Sequence, residues 1–250
     1  ASERRTVTRS VDRSSGLRSD GSMDHATIIE GLLDPEAYAH PVDEVTHLQT
    51  HISSILLTGG RAYKLKKPVD FGFLNFSTLE LRELNCRREV ELNGRLAPDV
   101  YLGVEPVRFD GRRLSIGKGD GEIVDWAVAM KQLDANHLGV GVLERGELTP
   151  DMLDDLVDIL VPFYKNARRG PDIDAFGEID AIRINTDENF VQTESYVGKL
   201  VSRDRFEHIQ NWTNRFFVDR KELFERRILE GRIRECHGDL HLDNIFFCDP

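Results

Sequence analysis

The sequence predicts an α+β fold in which an antiparallel sheet precedes a helical region. Strand-like segments separated by glycine-containing turns recur as far as Met130, whereas apolar residues repeat at helical spacing from Pro150 onward. A chain of 250 residues can form one domain of two lobes or two small domains. We therefore expect a sheet-bearing N-terminal lobe over residues 23–133 and a mainly helical C-terminal lobe over residues 134–250.

Composition narrows the class of protein. The first 22 residues are rich in Ser, Arg, Asp and Gly and hold almost no large apolar side chain, so we expect a disordered tail. A net charge of −11 argues against nonspecific binding to nucleic acid or to anionic membranes. No apolar run approaches the ~20 residues that span a bilayer. Three cysteines without a recognisable pairing or metal spacing favour a reducing, cytoplasmic compartment.

Five strands are expected in the N-terminal lobe. Residues 46–57 indicate a loop that enters a strand, and Gly59-Gly60 forms a hairpin turn to a returning strand over residues 61–67. Three further strands are predicted to form an antiparallel meander over residues 104–109, 112–116 and 122–130. The lobe is thus predicted to hold a five-stranded antiparallel sheet and one helix between its second and third strands.

The strand over residues 61–67 carries candidate phosphate-binding side chains. Alternation places Ala62, Lys64 and Lys66 on one face of the strand. In kinases a lysine on the third strand holds the α- and β-phosphates of ATP, and Ala62-Tyr63-Lys64 matches the small-x-Lys part of that pattern. We predict Lys64 in this role, with Lys66 as its competitor. The alternative is a pair of solvated lysines on an exposed face.

A capping box at Ser77-Thr78-Leu79-Glu80 predicts a helix that ends before Pro98. Glu89 falls on the predicted inward stripe of this helix, where an unpaired charge is costly to bury. We therefore predict that Glu89 pairs with the strand lysine; the alternative is a surface position at the edge of the stripe. The apolar members of the predicted inward stripe are Leu81, Leu92 and Leu96.

The segment Cys236–Phe247 carries the strongest functional signal. Asp239 and Asn244 are five positions apart, in the H-x-D-L-x-x-x-N spacing of a kinase catalytic loop. That chemistry needs a carboxylate to accept the hydrogen bond of the attacking hydroxyl and an amide oxygen to hold magnesium. We predict Asp239 as the catalytic base and Asn244 as a metal ligand.

Two other interpretations fit parts of this segment. His237 and His241 are four residues apart, as in an H-E-x-x-H zinc helix, but Gly238 replaces the glutamate and disfavours a helix. A structural interpretation is a polar turn before a buried strand, with Asp239 only capping the turn. The length of the match favours the kinase interpretation.

The region after residue 148 is predicted to be helical. Thr149 is the expected cap and Pro150 the first residue of an amphipathic helix. The stretch between Gly198 and Gly231 lacks Gly and Pro and is predicted to belong to a helical core. Its predicted buried face consists of Phe206, Ile209, Trp212, Phe216 and Leu223.

These segments resemble a known family. His237-Gly238-Asp239-Leu240-His241, followed by Asn244, resembles the catalytic loop of aminoglycoside phosphotransferases and related small-molecule kinases. The segments Ala62–Pro68 and Leu96–Gly103 resemble the bacterial proteins that fuse such a domain to a C-terminal P-loop ATPase domain. The resemblance extends from about residue 30 to residue 250. It implies a protein-kinase-like fold of two lobes, but it does not name the acceptor.

The resemblance also implies cofactors and contacts. ATP and Mg²⁺ are expected between the lobes, with the γ-phosphoryl group transferred to a hydroxyl of a small molecule. The phosphate-covering loop is expected over residues 47–53, with Thr50 and Ser53 in place of the glycines of protein kinases. Backbone N–H and C=O groups of Lys131 and Leu133 are expected to bind the adenine edge.

The resemblance further implies a second metal-binding acid beyond residue 250. We therefore expect a truncated C-terminal lobe and little catalysis by this fragment alone. The alternative function is a catalytically idle nucleotide-sensing or interaction domain that regulates a fused ATPase. A protein kinase is disfavoured because Gly238 stands where such enzymes carry the arginine that pairs with an activation-loop phosphate.

Overall fold

The computed structural model describes residues 23–72 and 74–248. The tail expected over residues 1–22 lies outside this part of the chain. Two compact units are present. The first runs to Thr149 and also takes in the segment that begins at Asp239, and the second is Pro150–Gly238. The boundary therefore falls later in the chain than residue 133, and the Asp239 segment belongs to the unit that contains the sheet.

The first unit is an α+β structure built on a six-stranded antiparallel sheet. The strand order is β1-β2-β3-β6-β4-β5. The strands are β1 Thr46–Gln49, β2 Ser53–Leu57, β3 Arg61–Lys66, β4 Tyr101–Phe109, β5 Leu114–Ile116 and β6 Glu122–Lys131.

The prediction of five strands was wrong by one. Residues 46–57 form two strands, because a tight turn in which the Thr50 N–H donates to the Ser53 carbonyl at 2.9 Å reverses the chain between them. The predicted meander was also wrong, since β6 lies between β3 and β4 and leaves the short β5 at the sheet edge. Consecutive residues Ala127, Val128 and Ala129 are all buried. Burial on both faces favours the central position that β6 occupies.

Helix α1, His25–Gly31, packs on one face of the sheet. Asp24 caps it, its Oδ1 accepting hydrogen bonds from the Ala26 and Thr27 N–H groups at 3.0 and 3.1 Å. Ile28 and Leu32 are almost fully buried. They join a core that also contains Tyr38, Leu56, Tyr63, Leu65 and Ile116. This core fixes the sheet on the side of Tyr63 and Leu65, as the alternation in β3 predicted.

Helix α2, Leu79–Asn93, connects β3 and β4. Thr78 caps it by accepting a hydrogen bond from the Leu81 N–H at 3.2 Å, which confirms the predicted start. The predicted apolar stripe was wrong at Leu92, which is 41% exposed, and the buried residues of the helix are Arg82 and Cys86. The inward face is instead held by polar contacts to the sheet, which hydrophobic periodicity does not reveal.

The connection after β6 leads to helix α3, Gly139–Glu144, beside the Asp239 segment. The second unit is helical, with α4 starting at Pro150 as predicted. The stretch between Gly198 and Gly231 forms two helices that meet at Arg220. Its predicted buried face is wrong at Ile209 and Trp212, which are more than half exposed, whereas Phe206 is buried. The helices of the second unit are α4 Pro150–Asn166, α5 Pro171–Asp174, α6 Ile179–Glu194, α7 Arg203–Asp219 and α8 Lys221–Leu229. None of the helices that the structure describes is both long and apolar enough to span a bilayer.

Candidate functional site

One carboxylate on α2 binds both lysines of β3. Lys64 Nζ donates to Glu89 Oε1 at 2.7 Å, and Lys66 Nζ donates to Glu89 Oε2 at 2.5 Å. Both lysines lie two residues apart on one face of the strand, as alternation requires. The predicted pairing of Lys64 with Glu89 is present, and the competitor Lys66 takes the second oxygen of the same carboxylate. The interpretation of these lysines as solvated surface groups is excluded.

The charges of the two lysines keep Glu89 ionised. Burial by itself would raise the pKa of Glu89, but the positive charges of Lys64 and Lys66 and the hydrogen bonds they donate lower it below its ordinary value. Two ammonium groups and one carboxylate leave this cluster with one excess positive charge. Such a cluster is suited to binding an anion.

The two lysines differ in their surroundings. The Lys66 side chain is 7% exposed, and its Nζ lies 4.8 Å from the centroid of the Phe76 ring. The Lys64 side chain is 28% exposed. Beneath the cluster, burial raises the pKa of the Cys86 thiol to about 12, so this cysteine is a neutral packing group. Lys64 is therefore the lysine that a ligand can reach more readily.

A buried ion pair orients α2. Arg82 Nε donates to Asp125 Oδ1 on β6 at 2.6 Å, and the Arg82 guanidinium also donates to the Phe76 carbonyl at 3.2 Å. Arg82 and Glu89 are seven residues apart and thus share a helix face. Sequence reasoning missed this pair. The available signal was a single acid, Asp125, inside the otherwise apolar run from Ile123 to Met130.

The turn between β1 and β2 lies where the phosphate-covering loop was expected. Thr50 Oγ1 accepts from the Ser53 N–H at 3.0 Å, so the threonine hydroxyl closes the turn. Ser53 is 1% exposed, and within the described residues its Oγ has no hydrogen-bond partner. Ser53 pairs with Lys66 across β2 and β3, which places both side chains on one face of the sheet. A buried hydroxyl without a partner is a candidate ligand contact.

The Asp239 segment folds into a turn closed by Asn244. Asn244 Nδ2 donates to the Asp239 carbonyl at 2.9 Å and lies 3.3 Å from Asp239 Oδ2 and 3.1 Å from His241 Nε2. Because the amide nitrogen of Asn244 makes all three contacts, its amide oxygen Oδ1 is directed away from Asp239 and His241. The Asp239 side chain is 79% exposed. An amide oxygen is one of the ligand types that Mg²⁺ accepts, so Asn244 is chemically compatible with the expected role of a metal ligand.

Contacts with Gly139 at the start of α3 and with His137 just before it hold this turn in place. The Gly139 N–H donates to the Ile245 carbonyl at 2.8 Å, and the Phe247 N–H donates to the His137 carbonyl at 2.9 Å. A Cβ on Gly139 would lie 2.9 Å from the Leu242 carbonyl oxygen, so only glycine permits this approach. Sequence reasoning did not identify Gly139 as part of the site. The available signal was that a glycine stands at the first position of a helix.

The expected adenine contacts lie at the end of β6. The Lys131 N–H donates to the Val100 carbonyl at 2.8 Å and is therefore not available to a nucleotide. Leu133 follows the end of β6 by two residues.

The zinc interpretation of His237 and His241 requires further ligands. In residues 23–72 and 74–248, no group of three or more His, Cys, Asp or Glu side chains is arranged to hold a metal ion.

The chain is similar to three curated mycobacterial proteins. They are named "Uncharacterized protein Rv2004c" and "Uncharacterized protein MT2060" in Mycobacterium tuberculosis and "Uncharacterized protein Mb2027c" in Mycobacterium bovis. Each is 35% identical over 214 residues, which are 84% of this chain and 41% of the relative. The chain thus spans less than half the length of the curated relatives it matches. No family model matches the chain, and no solved structure matches it.

Proposed function

We propose that the protein has a protein-kinase-like fold and transfers the γ-phosphoryl group of ATP to a hydroxyl of a small molecule, as the aminoglycoside phosphotransferases do. The observation that carries the proposal is the ion pair between Lys64 on β3 and Glu89 on α2, 2.7 Å long. A lysine on the third strand and a glutamate on the next helix are the phosphate-binding pair of protein kinases.

The Asp239 segment supports the same proposal. In the proposed reaction, the exposed Asp239 carboxylate accepts the hydrogen bond of the acceptor hydroxyl and orients its oxygen toward the γ-phosphorus. Asn244 would hold Mg²⁺ through its amide oxygen, and the ion would neutralise charge on the phosphate oxygens. Lys64 holds the α- and β-phosphates, and the hydroxyl of Ser53 is a further candidate contact to them. At the adenine, Leu133 and the carbonyl of Lys131 are the remaining candidates, because the Lys131 N–H is already engaged.

The whole protein is proposed to be longer than the phosphotransferase domain. More than half of each curated relative lies outside the matched region. That length has room for the fused P-loop ATPase domain that the resemblance implies. The free thiols at Cys86, Cys236 and Cys248 support a cytoplasmic setting.

A second candidate function is a nucleotide-sensing domain that regulates a fused ATPase without catalysis. The turn between β1 and β2 favours it, because this turn is short and the Thr50 hydroxyl is occupied in closing it. A domain of this kind would bind nucleotide but would not consume it when acceptors are added.

Thermal unfolding of the protein with its C-terminal lobe completed beyond residue 250, with and without Mg-ATP, tests the proposal. A ligand at about a hundred times its dissociation constant stabilises the folded state by ~2.7 kcal/mol, which raises the midpoint by roughly 5–10 °C at this size. Lys64→Ala should abolish the rise. ATP consumption that depends on an added hydroxylated acceptor then separates the phosphotransferase from the sensor. A midpoint that Mg-ATP leaves unchanged would exclude both.

A further inference from the structure

Two histidines lie on the core face of the sheet, near its β1 edge. His47 on β1 pairs with Leu56 on β2, and Leu56 is fully buried in the core beneath α1. Cross-strand partners share one face of a sheet, so the His47 side chain lies on the core side. His25, the first residue of α1, reaches the same face, where its Nε2 lies 3.0 Å from the Ser54 hydroxyl oxygen. Ser54 is two residues from Leu56 on β2 and therefore shares its face.

The two histidines differ in their partners. His25 Nδ1 lies 3.9 Å from Asp125 Oδ2 on β6, so a positive charge on His25 has a carboxylate nearby. The other oxygen of Asp125 accepts from Arg82. His47 Nε2 is also buried, but in the part of the chain that the structure describes it has no hydrogen-bond partner. Protonation of His47 would therefore bury an N–H donor without an acceptor, which is costly.

Two positive groups act on His47. Burial lowers the pKa of His47 below its ordinary value, and the charges of His25 and Lys67 lower it further. Lys67 Nζ donates to the Thr50 carbonyl at 2.6 Å, at the turn that follows β1. The folded strand therefore favours neutral His47, whereas in an opened strand His47 would accept a proton at its ordinary pKa.

Strand β1 can open without unfolding the sheet. It has four residues, lies at the sheet edge and pairs with β2 alone. Short edge elements open locally at free energies well below that of global unfolding. Opening of β1 would bring His47 into water and would also release the turn that Thr50 closes.

We propose that His47 is a pH-sensitive switch that holds β1 and the following turn on the sheet while it is neutral and releases them when it is protonated. The sign follows from linkage between protonation and opening. A histidine whose pKa is lower in the closed strand stabilises that strand fully above the ordinary histidine pKa of ~6.5, and less as the pH falls toward the lower value. Over that range the opening equilibrium should rise by up to about tenfold per pH unit.

Hydrogen exchange followed by mass spectrometry tests the switch in the protein with its C-terminal lobe completed beyond residue 250. The exchange of residues 46–57 is measured between about pH 7.5 and pH 5 and divided by the intrinsic exchange rate at each pH. Protection of this segment should fall in acid in the wild-type protein. His47→Gln keeps a neutral polar side chain at all of these pH values, so its protection should be nearly constant.

His51→Gln is the matched control, because it removes an exposed histidine four residues later in the chain. This variant should retain the wild-type dependence of exchange on pH. Constant protection in wild type, or the same fall in His47→Gln as in wild type, would overturn the inference.

A titration of the wild-type protein guards against a variant that fails to fold. In protein labelled with ¹³C at the histidine rings, the His47 resonances should titrate at a lower pH than those of the exposed His51. Equal titration midpoints would show that the closed strand does not disfavour protonation of His47, and would refute the proposal.

The switch also predicts how the candidate site responds to acid, and this step rests on the proposed function. The released turn lies where the phosphate-covering loop is expected, so Mg-ATP affinity should fall more steeply in acid for wild type than for His47→Gln. Protonation of ATP itself affects both proteins equally. Mg-ATP binding together with pH-independent exchange overturns the switch and leaves the function standing. Acid-dependent exchange without any Mg-ATP binding supports the switch and overturns the function.

Discussion

Arg82 on α2 and Asp125 on β6 form a buried ion pair, with 2.6 Å between Nε and Oδ1. The Asp125 side chain is 1% exposed and that of Arg82 10%. The pair fixes the rotation of α2 about its own axis, because the guanidinium also donates to the Phe76 carbonyl just before the helix. Glu89, two turns later on the same face, is thereby directed at Lys64 and Lys66.

Breaking this pair should destabilise the first unit strongly. Arg82→Met leaves the Asp125 carboxylate buried without its main counter-charge, a change that typically costs about 3–5 kcal/mol. Urea unfolding followed by circular dichroism measures the loss. The matched control is Arg113→Met, which removes an ion pair with Glu36 whose two side chains are 69% and 71% exposed. The control should stay within about 1 kcal/mol of wild type, and equal losses in the two variants would contradict the structural role of Arg82.

The ionisation of Glu89 should make stability depend on pH in the acid range. The pKa of Glu89 is lowered in the folded protein by Lys64 and Lys66, against the effect of burial. Its contribution is therefore fully present above the ordinary glutamate pKa and is lost as the pH falls through the lower folded value. Urea unfolding between about pH 5 and pH 3 should show a smaller loss of stability in Glu89→Gln than in wild type. Glu91→Gln, at an exposed position of the same helix, should retain the wild-type profile.

Replacing Asp239 should separate catalysis from nucleotide binding. Asp239→Asn removes the group proposed to orient the acceptor hydroxyl, and general bases typically contribute about 10²–10⁴ in rate. In the protein with its C-terminal lobe completed beyond residue 250, acceptor-dependent turnover should fall by that order, while the Mg-ATP affinity measured by titration stays close to wild type. Asp243→Asn, four residues later in the same turn, serves as the control and should lose far less. Wild-type turnover in Asp239→Asn would remove Asp239 from the proposed role.

The close approach of α3 to the Asp239 segment should make one glycine indispensable. A Cβ at Gly139 would lie 2.9 Å from the Leu242 carbonyl oxygen, so Gly139→Ala must displace the turn that holds Asp239 and Asn244. The thermal midpoint should decrease, and acceptor-dependent turnover of the protein with its C-terminal lobe completed beyond residue 250 should fall.

Gly141→Ala in the same helix provides the comparison. Its Cβ would meet only the flexible end of the Arg145 side chain, at 3.1 Å. Alanine in a helix interior is favoured over glycine by roughly 0.5–1 kcal/mol, so this variant should be as stable as wild type or slightly more stable. Equal effects of the two substitutions would show that the contact of Gly139 with Leu242 does not position the turn.

Much of the site could be predicted because its signals are local. Alternation along β3 places Lys64 and Lys66 on one face, and helical periodicity places Glu89 on the inward side of α2. The five-residue spacing from Asp239 to Asn244 matches a turn in which the Asn244 amide reaches the Asp239 carbonyl. Each of these relationships depends on a few neighbouring residues and on regular backbone geometry.

The sequence by itself therefore determined the class of fold, the start of α2, the face of β3 that carries the lysines, and the loop with Asp239 and Asn244. Only the tertiary structure decided the position of β6 between β3 and β4, the burial of Arg82 with Asp125, and the sharing of Glu89 between two lysines. The physical reason is that strand order, buried ion pairs and close contacts such as that of Gly139 join residues far apart in the chain. Such contacts depend on which groups become buried together after folding, and local periodicity does not reveal this.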